Sequence, residues 1–550
     1  LLEKFFKTVR DIRLSLLSFL EKDLSGKSIW RDVRRRMSRV DIGPGIALLD
    51  GIIFPGSRRA LHLSHPEAVL TVFKQSLACQ GTLSVELRNL IRHSLEAMPA
   101  GEFKSARAGN LFNEILAWPG RVGPTFLLMH ETGLLSRMIP PFSSLTCKVE
   151  YDSYHEFTVD QHTLLAVCAC DDLIQDEDPK IRSLYAELTD KRLLRLAVLL
   201  HDIGKAMPGD HAQNGAVMAE AIALRLGLSD DQIARIRFLV RHHLDLSDLS
   251  LLRDFDNHNL TVFAADVGDV DTLNLLYLLT IVDIRSVGHH TWSGWKAYQL
   301  DEIYDRLVGL LREGRCRRED APVRQNLESD GFAETENCVP LSEEDIVLQQ
   351  VLFAGFERLT VCARDRVGFL SDMIGCITSE GYNILSAKIH SSPAGGIRDV
   401  FYLEAPEKPR IAPQKRMENI RRKWRLIAGA HTDADTLVQD RLKKYPLPLV
   451  RAIAGQTAVT VRINNQDSAA ATIVEISTAD NFGLLHRIAR CFFENRINIV
   501  AAKLSTRNDQ ACDVFYVTDA ARNKITEDGK TRRLTDGLKK RLRHEKQETE

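Results

Sequence analysis

The chain is 550 residues long, more than one hydrophobic core can serve, so about three or four domains are expected. Apolar residues make up 44% and charged residues 27%, which excludes a disordered chain, and a net charge of −1 gives no basis for general nucleic-acid or membrane binding. Ten cysteines without a single C-x-x-C pair exclude a zinc ribbon or a disulfide scaffold and suit a reducing, cytoplasmic setting.

The opening LLEKFFKTVRDIRLSLLSFLEKDL carries charges at helical spacing and no signal-peptide cleavage pattern. It reads as an amphipathic helix packed on its own domain, not as a membrane anchor, and no apolar run elsewhere reaches the roughly 18–20 residues that span a bilayer. Residues 1–148 read as mostly helical and carry no catalytic cluster. From 149 to 312, long helical patterns concentrate histidine and aspartate. One helix start is marked there by Ser229-Asp230-Asp231-Gln232, which has the form of a capping box ahead of IARIRFLVRHH. The polar, breaker-containing stretch 313–350 reads as a linker.

An internal repeat follows. The first copy reads RDRVGFLSDMIGCITSEGYNILSAKIHS and ends in RDVFYLE; the second reads ADNFGLLHRIARCFFENRINIVAAKLST and ends in CDVFYVT. Gly368 aligns with Gly483, Asn383 with Asn498 and Lys388 with Lys503 at one constant offset, and Phe401 matches Phe515 after a one-residue slip. Alternating β-branched residues mark strands around a helix of 3.6-residue period, and a second helix from about 412 to 428 completes the first copy. The pattern is βαββαβ with an antiparallel sheet. The copies are expected at 351–432 and 468–535, separated by a linker at 433–467, and 536–550 is a charged tail, frayed or disordered.

The central region holds His162 in TVDQH, His201-Asp202 in LLHDIGK, His211 in GDHAQNGA, His242-His243 in LVRHH and Asp283 in TIVDIRS. Imidazole and carboxylate bind Mn²⁺, Mg²⁺, Fe or Zn at neutral pH. The apolar runs ahead of these residues put them at helix ends or inward faces, where they are held rigidly. A lone histidine near an aspartate is commonplace, and His242-His243 alone reads equally as a surface pair. The order H…HD…H…HH…D, with HD inside HDxGK, is what points to a metal centre. Lys205 is placed to contact a phosphate. His258, His289 and His290 are taken as non-ligands.

This ordered pattern resembles the HD phosphohydrolase superfamily. The stretches FNEILAWPGRVGPTFLLMHETGLLSRMIPPF, YHEFTVDQHTL and GHHTWSGWKAYQLDEIYDRL further resemble the bacterial bifunctional protein-PII uridylyltransferase/uridylyl-removing enzyme family, and the two repeats resemble its tandem ACT domains. The likeness runs from about residue 45 to 520. It implies a multidomain α and α+β protein: an all-helical linker region and HD domain, then two ferredoxin-like ACT domains. It also implies hydrolysis of uridylylated PII signalling protein to PII and UMP under glutamine control, in the regulation of nitrogen metabolism. The family's transferase activity is not expected of this chain. That chemistry needs a Gly-Ser turn followed by an Asp-x-Asp pair, whereas Gly56-Ser57 has no acidic pair after it, and Asp254-Phe255-Asp256 and Asp269-Val270-Asp271 lie in the HD region without such a turn. The transferase domain is therefore expected to be missing, by truncation or by natural loss.

By match to the superfamily, His162, His201, Asp202 and Asp283 are first-metal ligands, with Asp202 able to bridge, and His211, His242 and His243 complete a second site. The implied cofactor is a divalent metal, Mn²⁺ or Mg²⁺, and the implied catalytic residues are His201, Asp202 and Lys205. Trp292, Trp295 and Lys296 match a family segment and serve either as structural support or as substrate contacts. By resemblance to ACT modules, Asp365, Arg366, Val367 and Gly368 line one effector site and Asp480, Asn481, Phe482 and Gly483 the other, with Asn383 and Asn498 nearby. The glycines allow close approach of a ligand and the adjoining helix N-termini favour a carboxylate. Arg366 is replaced by Asn481 in the second copy, so the sites differ in affinity or one is structural.

Two other readings stay open. The chain could be an HD hydrolase of a nucleotide such as (p)ppGpp, against which stand the doubled ACT module and the absence of a following synthetase domain. It could also be a non-catalytic amino-acid sensor, against which stands the intact ligand set.

Overall fold

The computed structural model describes residues 5–6, 8–9, 12, 40–43, 45–56, 61–149, 157–251, 257–288, 292–313, 342, 345–366, 368–389, 396–405, 411–444, 459–465, 468, 471–479, 483–504, 506–507 and 510–543. Most of the N-terminal amphipathic segment and of the 313–350 linker lies outside these residues. The chain forms two compact units, one made of Leu1–Ser250, Phe255–Trp292 and Gln299–Pro322, the other mainly of Val323–Glu550. Among the described residues no helix is long and apolar enough to cross a membrane.

The first unit is mostly helical, but the expectation of an all-helical region up to 148 needs correcting. A small sheet of order β1-β2-β3-β4 comprises β1 (Val40–Gly43), β2 (Ile46–Leu49), β3 (Ile52–Pro55) and β4 (Thr82–Leu83). Its hairpin turns at Asp50-Gly51, both with positive φ (50° and 75°), the conformation that Asp-Gly favours in a two-residue turn. The run of apolar residues around this dipeptide is too short to outweigh the helical patterns on either side of it. Nor does a core boundary separate the residues before 148 from the HD helices: one buried cluster runs from Ile46 through Phe112 and Leu199 to Leu307.

Five helices of this unit carry the candidate ligands: Val159–Asp172, Lys191–Leu200, His211–Arg225, Asp230–Arg241 and Val270–Val287. The last is buried on nearly every side, as its near-continuous apolar sequence requires. The Ser229–Gln232 capping box forms in both directions, worth about 1 kcal/mol.

The second unit contains one sheet of order β5-β6-β8-β7-β11-β13-β10-β9, with β12 paired to β13. The strands are β5 (Val347–Phe353), β6 (Phe356–Arg364), β7 (Asn383–Lys388), β8 (Gly396–Glu404), β9 (Thr460–Asn464), β10 (Thr472–Ala479), β11 (Ile497–Lys503), β12 (Thr506–Arg507) and β13 (Gln510–Asp519). Two antiparallel modules meet where β7 pairs β11 at Ala387 and Ala502. Each module has the four main strands and two helices expected, but its edge strand comes first: β5 pairs β6, and β9 pairs β10. A two-residue turn at Ala354-Gly355 makes the first of these pairings local. The modules therefore begin at 347 and 460, inside stretches read as linker.

Two further expectations change. The 433–467 linker contains the helix Ala434–Lys444, which buries Ala434 and Val438. The first part of the charged tail expected from 536 belongs instead to the helix Asp528–Arg543, which sinks Leu534 and Leu538 into the second module's core, and residues 544–550 lie outside the described residues. Those two leucines are one helical turn apart, and burying each contributes about 1.5–3 kcal/mol. Their signal was hidden among Lys and Arg.

Candidate metal centre and effector loops

His162 lies one turn into the helix Val159–Asp172, its N–H bonded to the Thr158 carbonyl at 2.8 Å. His201 caps the C-terminus of Lys191–Leu200, and Asp202 opens the short turn Ile203–Ala206 that carries Lys205. His211 is the first residue of its helix, His243 follows the end of Asp230–Arg241, and Asp283 lies near the end of Val270–Val287. Gly204 lets the turn press against the next helix. A Cβ there would lie 1.9 Å from the His211 carbonyl oxygen and 2.4 Å from the Gly215 nitrogen.

The donor atoms converge. His162 Nε2 is 3.1 Å from His201 Nε2, 3.0 Å from Asp283 Oδ1 and 3.8 Å from Asp202 Oδ2. His201 Nε2 is 3.4 Å from Asp202 Oδ2 and 3.5 Å from Asp283 Oδ1. On the other side, Asp202 Oδ1 is 3.9 Å from both His211 Nε2 and His243 Nε2. Two three-residue groups result, His162–His201–Asp202 and Asp202–His211–His243, each with its donor atoms within 4.8 Å of one another. Asp202 belongs to both.

Three buried histidines share one device. Nδ1 of His162 donates to the Ser286 carbonyl (3.1 Å), that of His201 to Val198 (2.7 Å) and that of His243 to Val240 (2.8 Å). A carbonyl only accepts, so Nδ1 carries the hydrogen and Nε2 is turned toward the cluster. His243 Nε2 is buried and has no hydrogen-bond partner, a costly arrangement unless something else occupies its lone pair. Donors about 2.1 Å from a shared ion sit roughly 3.0–3.4 Å apart, near the separations around His162 and His201. The cluster can hold a divalent ion.

Its charges are arranged around that task. Burial would raise Asp202 and Asp283, but the His201 charge, joined at Asp202 by Lys205, holds both well below the usual carboxylate range. Burial would lower His201, yet the Asp202 and Asp283 carboxylates push it up to about 10. Burial keeps His211 and His243 below the ordinary imidazole value. Lys205 Nζ is bonded to Asp202 Oδ2 at 2.9 Å.

Of the expected ligands, His242 stands apart. Its ring packs on Phe238, centroids 4.4 Å apart, and its Nδ1 pairs with Asp245 at 2.6 Å. The helix ends at Arg241 with His242 as its cap, so the adjacent side chains diverge and only His243 turns inward. Trp292 lies against the Arg285 guanidinium (4.7 Å), and Trp295 packs on Tyr298 and Tyr402. Asp254-Phe255-Asp256 lies outside the described residues, and Asp269 caps a helix by accepting from the Thr272 N–H.

The sequence reading missed what fastens the centre from outside. Arg195, buried, donates to the carbonyls of Leu116, Trp118 and Gly120 and to Asp171 Oδ1, while Asp171 Oδ2 accepts from the Val122 and Gly123 N–H groups. A buried arginine in the apolar run RLLRLAVLL was the available signal.

In the second unit, Gly368 and Gly483 each start a helix with positive φ (85° and 77°). Arg366 bonds Asp372 at 2.7 Å and covers Trp424, and Asp365 is exposed. Val367, Asp480, Asn481 and Phe482 lie outside the described residues. The antiparallel β7–β11 register puts Asn383 at the sheet end of the Gly483 loop and Asn498 at that of the Gly368 loop. Each loop therefore faces the other module. A Cβ on Gly368 would lie 2.6 Å from the Phe493 ring, whereas among the described residues one on Gly483 would come no nearer than Val438 and Thr378, at 3.8 and 4.0 Å. Phe493 and Thr378 hold equivalent places in the repeat.

Known proteins agree with this picture. A model described as HD domain matches residues 159–271, and one described as ACR9-like, ACT-like domain matches 460–547. Proteins named bifunctional uridylyltransferase/uridylyl-removing enzyme are similar over most of the chain. That of Erythrobacter litoralis is 30% identical over 78% of this chain and 51% of its own length; that of Rhodospirillum rubrum, 28% over 97% and 61%. The Novosphingobium aromaticivorans protein is 30% identical over 86% and 56%. The chain spans about half to three-fifths of the length of these curated relatives.

Proposed function

We propose that this chain, which carries an HD domain and an ACT-like domain and is homologous to bifunctional uridylyltransferase/uridylyl-removing enzymes, hydrolyses the UMP–tyrosine diester of a uridylylated PII-type signalling protein under glutamine control. The observation that carries the reading is the convergence of His162, His201 and Asp202, within the span matched as HD domain, with Asp283 just beyond it. The proposed cofactor is a divalent metal, Mn²⁺ or Mg²⁺; the mixed imidazole and carboxylate donor set and the unpartnered His243 Nε2 support a bound divalent ion.

A divalent ion bound there supplies the Lewis acidity that activates water and screens the phosphoryl oxygens. The chain's own residues do the rest. Asp202 belongs to both donor groups, and His211 and His243 complete the second. Lys205, held by Asp202, offers its ammonium to a non-bridging phosphate oxygen. Water forms a new bond to phosphorus, the bond from phosphorus to the tyrosyl oxygen breaks, and the phenolate leaves to be protonated near its ordinary pKa of about 10. Glutamine is proposed to bind at the glycine loops of the ACT modules, each completed by the other module.

The test is to incubate the protein with uridylylated PII and Mn²⁺, with and without glutamine, following PII mass and UMP release, with a His201→Ala/Asp202→Ala control. Glutamine-stimulated release that the control lacks is expected. No release from folded, metal-loaded protein would remove PII-UMP as the substrate, and a panel of nucleotides including (p)ppGpp would then be the next assay.

A further inference from the structure

Lys148 has no part in the donor set, yet its side chain reaches the turn that carries Lys205. Its ammonium donates to the Lys205 backbone carbonyl. That turn is the short helix Ile203–Ala206, in which the Lys205 N–H bonds the Asp202 carbonyl (3.0 Å) and Lys205 Nζ the Asp202 carboxylate (2.9 Å). Gly204 seats the turn against the helix His211–Arg225, and Ile203 is buried in the core. Lys148 adds a hydrogen bond to the Lys205 backbone from the segment ahead of His162.

The other end of the tie is equally fixed. Lys148 accepts at its carbonyl from the Val159 N–H (2.9 Å), and its neighbour Cys147 donates its N–H to Asp160 Oδ1 (3.0 Å). Asp160 is pinned in turn by His130 Nε2 (3.0 Å) and the Thr158 hydroxyl (2.6 Å). Cys147 sits at a positive φ of 58°, a conformation that a non-glycine residue keeps only where its surroundings impose it. Val159 and Asp160 open the helix on which His162 lies one turn further on. The pair Cys147-Lys148 is thus a strap from the segment carrying His162 to the turn carrying Asp202 and Lys205.

We infer that Lys148 is a positioning residue for the reaction, setting where the Lys205 ammonium stands beside the metal centre. This rests on the phosphodiesterase reading proposed above. A neutral donor would satisfy a carbonyl; a long ammonium side chain here also adds positive charge beside the turn that carries Lys205.

The experiment uses the full chain loaded with Mn²⁺ and bis(p-nitrophenyl) phosphate as a generic phosphodiester. Lys148→Met keeps the stem and removes the donor. Its kcat is expected to fall about 10- to 100-fold, as for other groups that orient a site from outside, with Mn²⁺ affinity and Tm unchanged. Lys148→Arg should recover most of the loss. In a Lys205→Met background, Lys148→Met should cost less than about twofold, because the group it positions is already gone. Affinity of the Mn²⁺-loaded protein for inorganic phosphate gives a readout independent of turnover and should weaken in the same pattern. If wild type binds phosphate with this pattern but turns nothing over, the proposed function fails and the positioning role stands. Equal losses with and without Lys205, a lowered Tm with unchanged kcat, or no phosphate binding by the wild type would overturn the role of Lys148.

Discussion

His162 and Asp283 meet at 3.0 Å, Nε2 to Oδ1, and the helix that delivers Asp283 also supplies the Ser286 carbonyl that accepts from the opposite nitrogen of the same ring. One helix end thus holds Nδ1 by a carbonyl and sets a carboxylate beside Nε2 of the same ring. Asp283→Ala is expected to leave His162 oriented but to weaken ion binding. At a hundredfold excess over Kd, Mn²⁺ should stabilise the wild type by about 2.7 kcal/mol. The variant should show far less stabilisation at the same concentration, and chelator should return the wild type to its ion-free Tm. An unchanged response in Asp283→Ala would remove this residue from the ligand set.

Gly204 is expected to tolerate no side chain. With the His211 carbonyl 1.9 Å from where a Cβ would stand, alanine must push the Asp202–Lys205 turn away from the helix His211–Arg225. A loss of about 1–3 kcal/mol is expected, typical of forced overpacking, together with weakened ion binding because His211 and Asp202 separate. Urea denaturation and Mn²⁺ titration of Gly204→Ala check both. A variant as stable as wild type would show that the contact relaxes at no cost.

Arg195 should matter to stability more than to chemistry. Its guanidinium joins Asp171 and three carbonyls of the loop after the helix Ala106–Leu116, all within one shared core. Removing one member of a buried ion pair typically costs about 3–5 kcal/mol, because the other is left uncompensated. Arg195→Met should therefore lower the urea midpoint strongly, while Arg195→Met/Asp171→Asn should recover part of the loss. Additive losses would argue against coupling.

The candidate metal centre was legible because its residues are chemically unusual for their surroundings: an HD pair, a histidine pair and an aspartate, each after an apolar run. Periodicity could not choose between His242 and His243, since that choice depends on where the helix stops, and the structure ends it at Arg241 with His242 as the cap. The repeat was legible through aligned glycines and asparagines, but its edge strands were not. VLQQVLF and TVRIN have no counterpart in the copies as aligned, and they join the sheet through hairpins that no alignment of the repeat cores would show. The Asp50-Gly51 dipeptide is a turn signal, but the strands it joins are too brief to stand out against the helical patterns around them. Lys148 bonds a backbone carbonyl, a contact that leaves no mark on residue type, whereas Arg195 shows only as a charge inside an apolar run.

Acid should loosen the strap that holds Lys148. Burial alone would raise the Asp160 carboxyl, but hydrogen bonds from His130, Thr158 and the Cys147 N–H hold it below the usual carboxylate range. A carboxyl whose folded value is depressed contributes stability that is present above its unfolded value, about 3.9, and lost as the pH falls through the folded value. Wild type should therefore lose stability relative to Asp160→Asn on going from pH 5 to pH 3, with little change in their difference above pH 6. A constant difference throughout would show that the Asp160 charge carries none of it.

The two effector loops should not be equivalent. They are related by the repeat, yet the Phe493 ring lies against Gly368 where its counterpart Thr378 leaves room beside Gly483. A ligand backbone entering at Gly368 must displace an aromatic ring that already packs under the Arg490 guanidinium; one entering at Gly483 meets a methyl at van der Waals distance. Calorimetric titration with glutamine should therefore give one tight site per chain. Thr378→Phe should abolish that site, because it builds the same obstruction at the open loop, and Phe493→Thr should add a second site of comparable affinity. Two equal sites in the wild type, or loss of the tight site in Phe493→Thr, would mean that the ring is part of the binding surface and not what closes it.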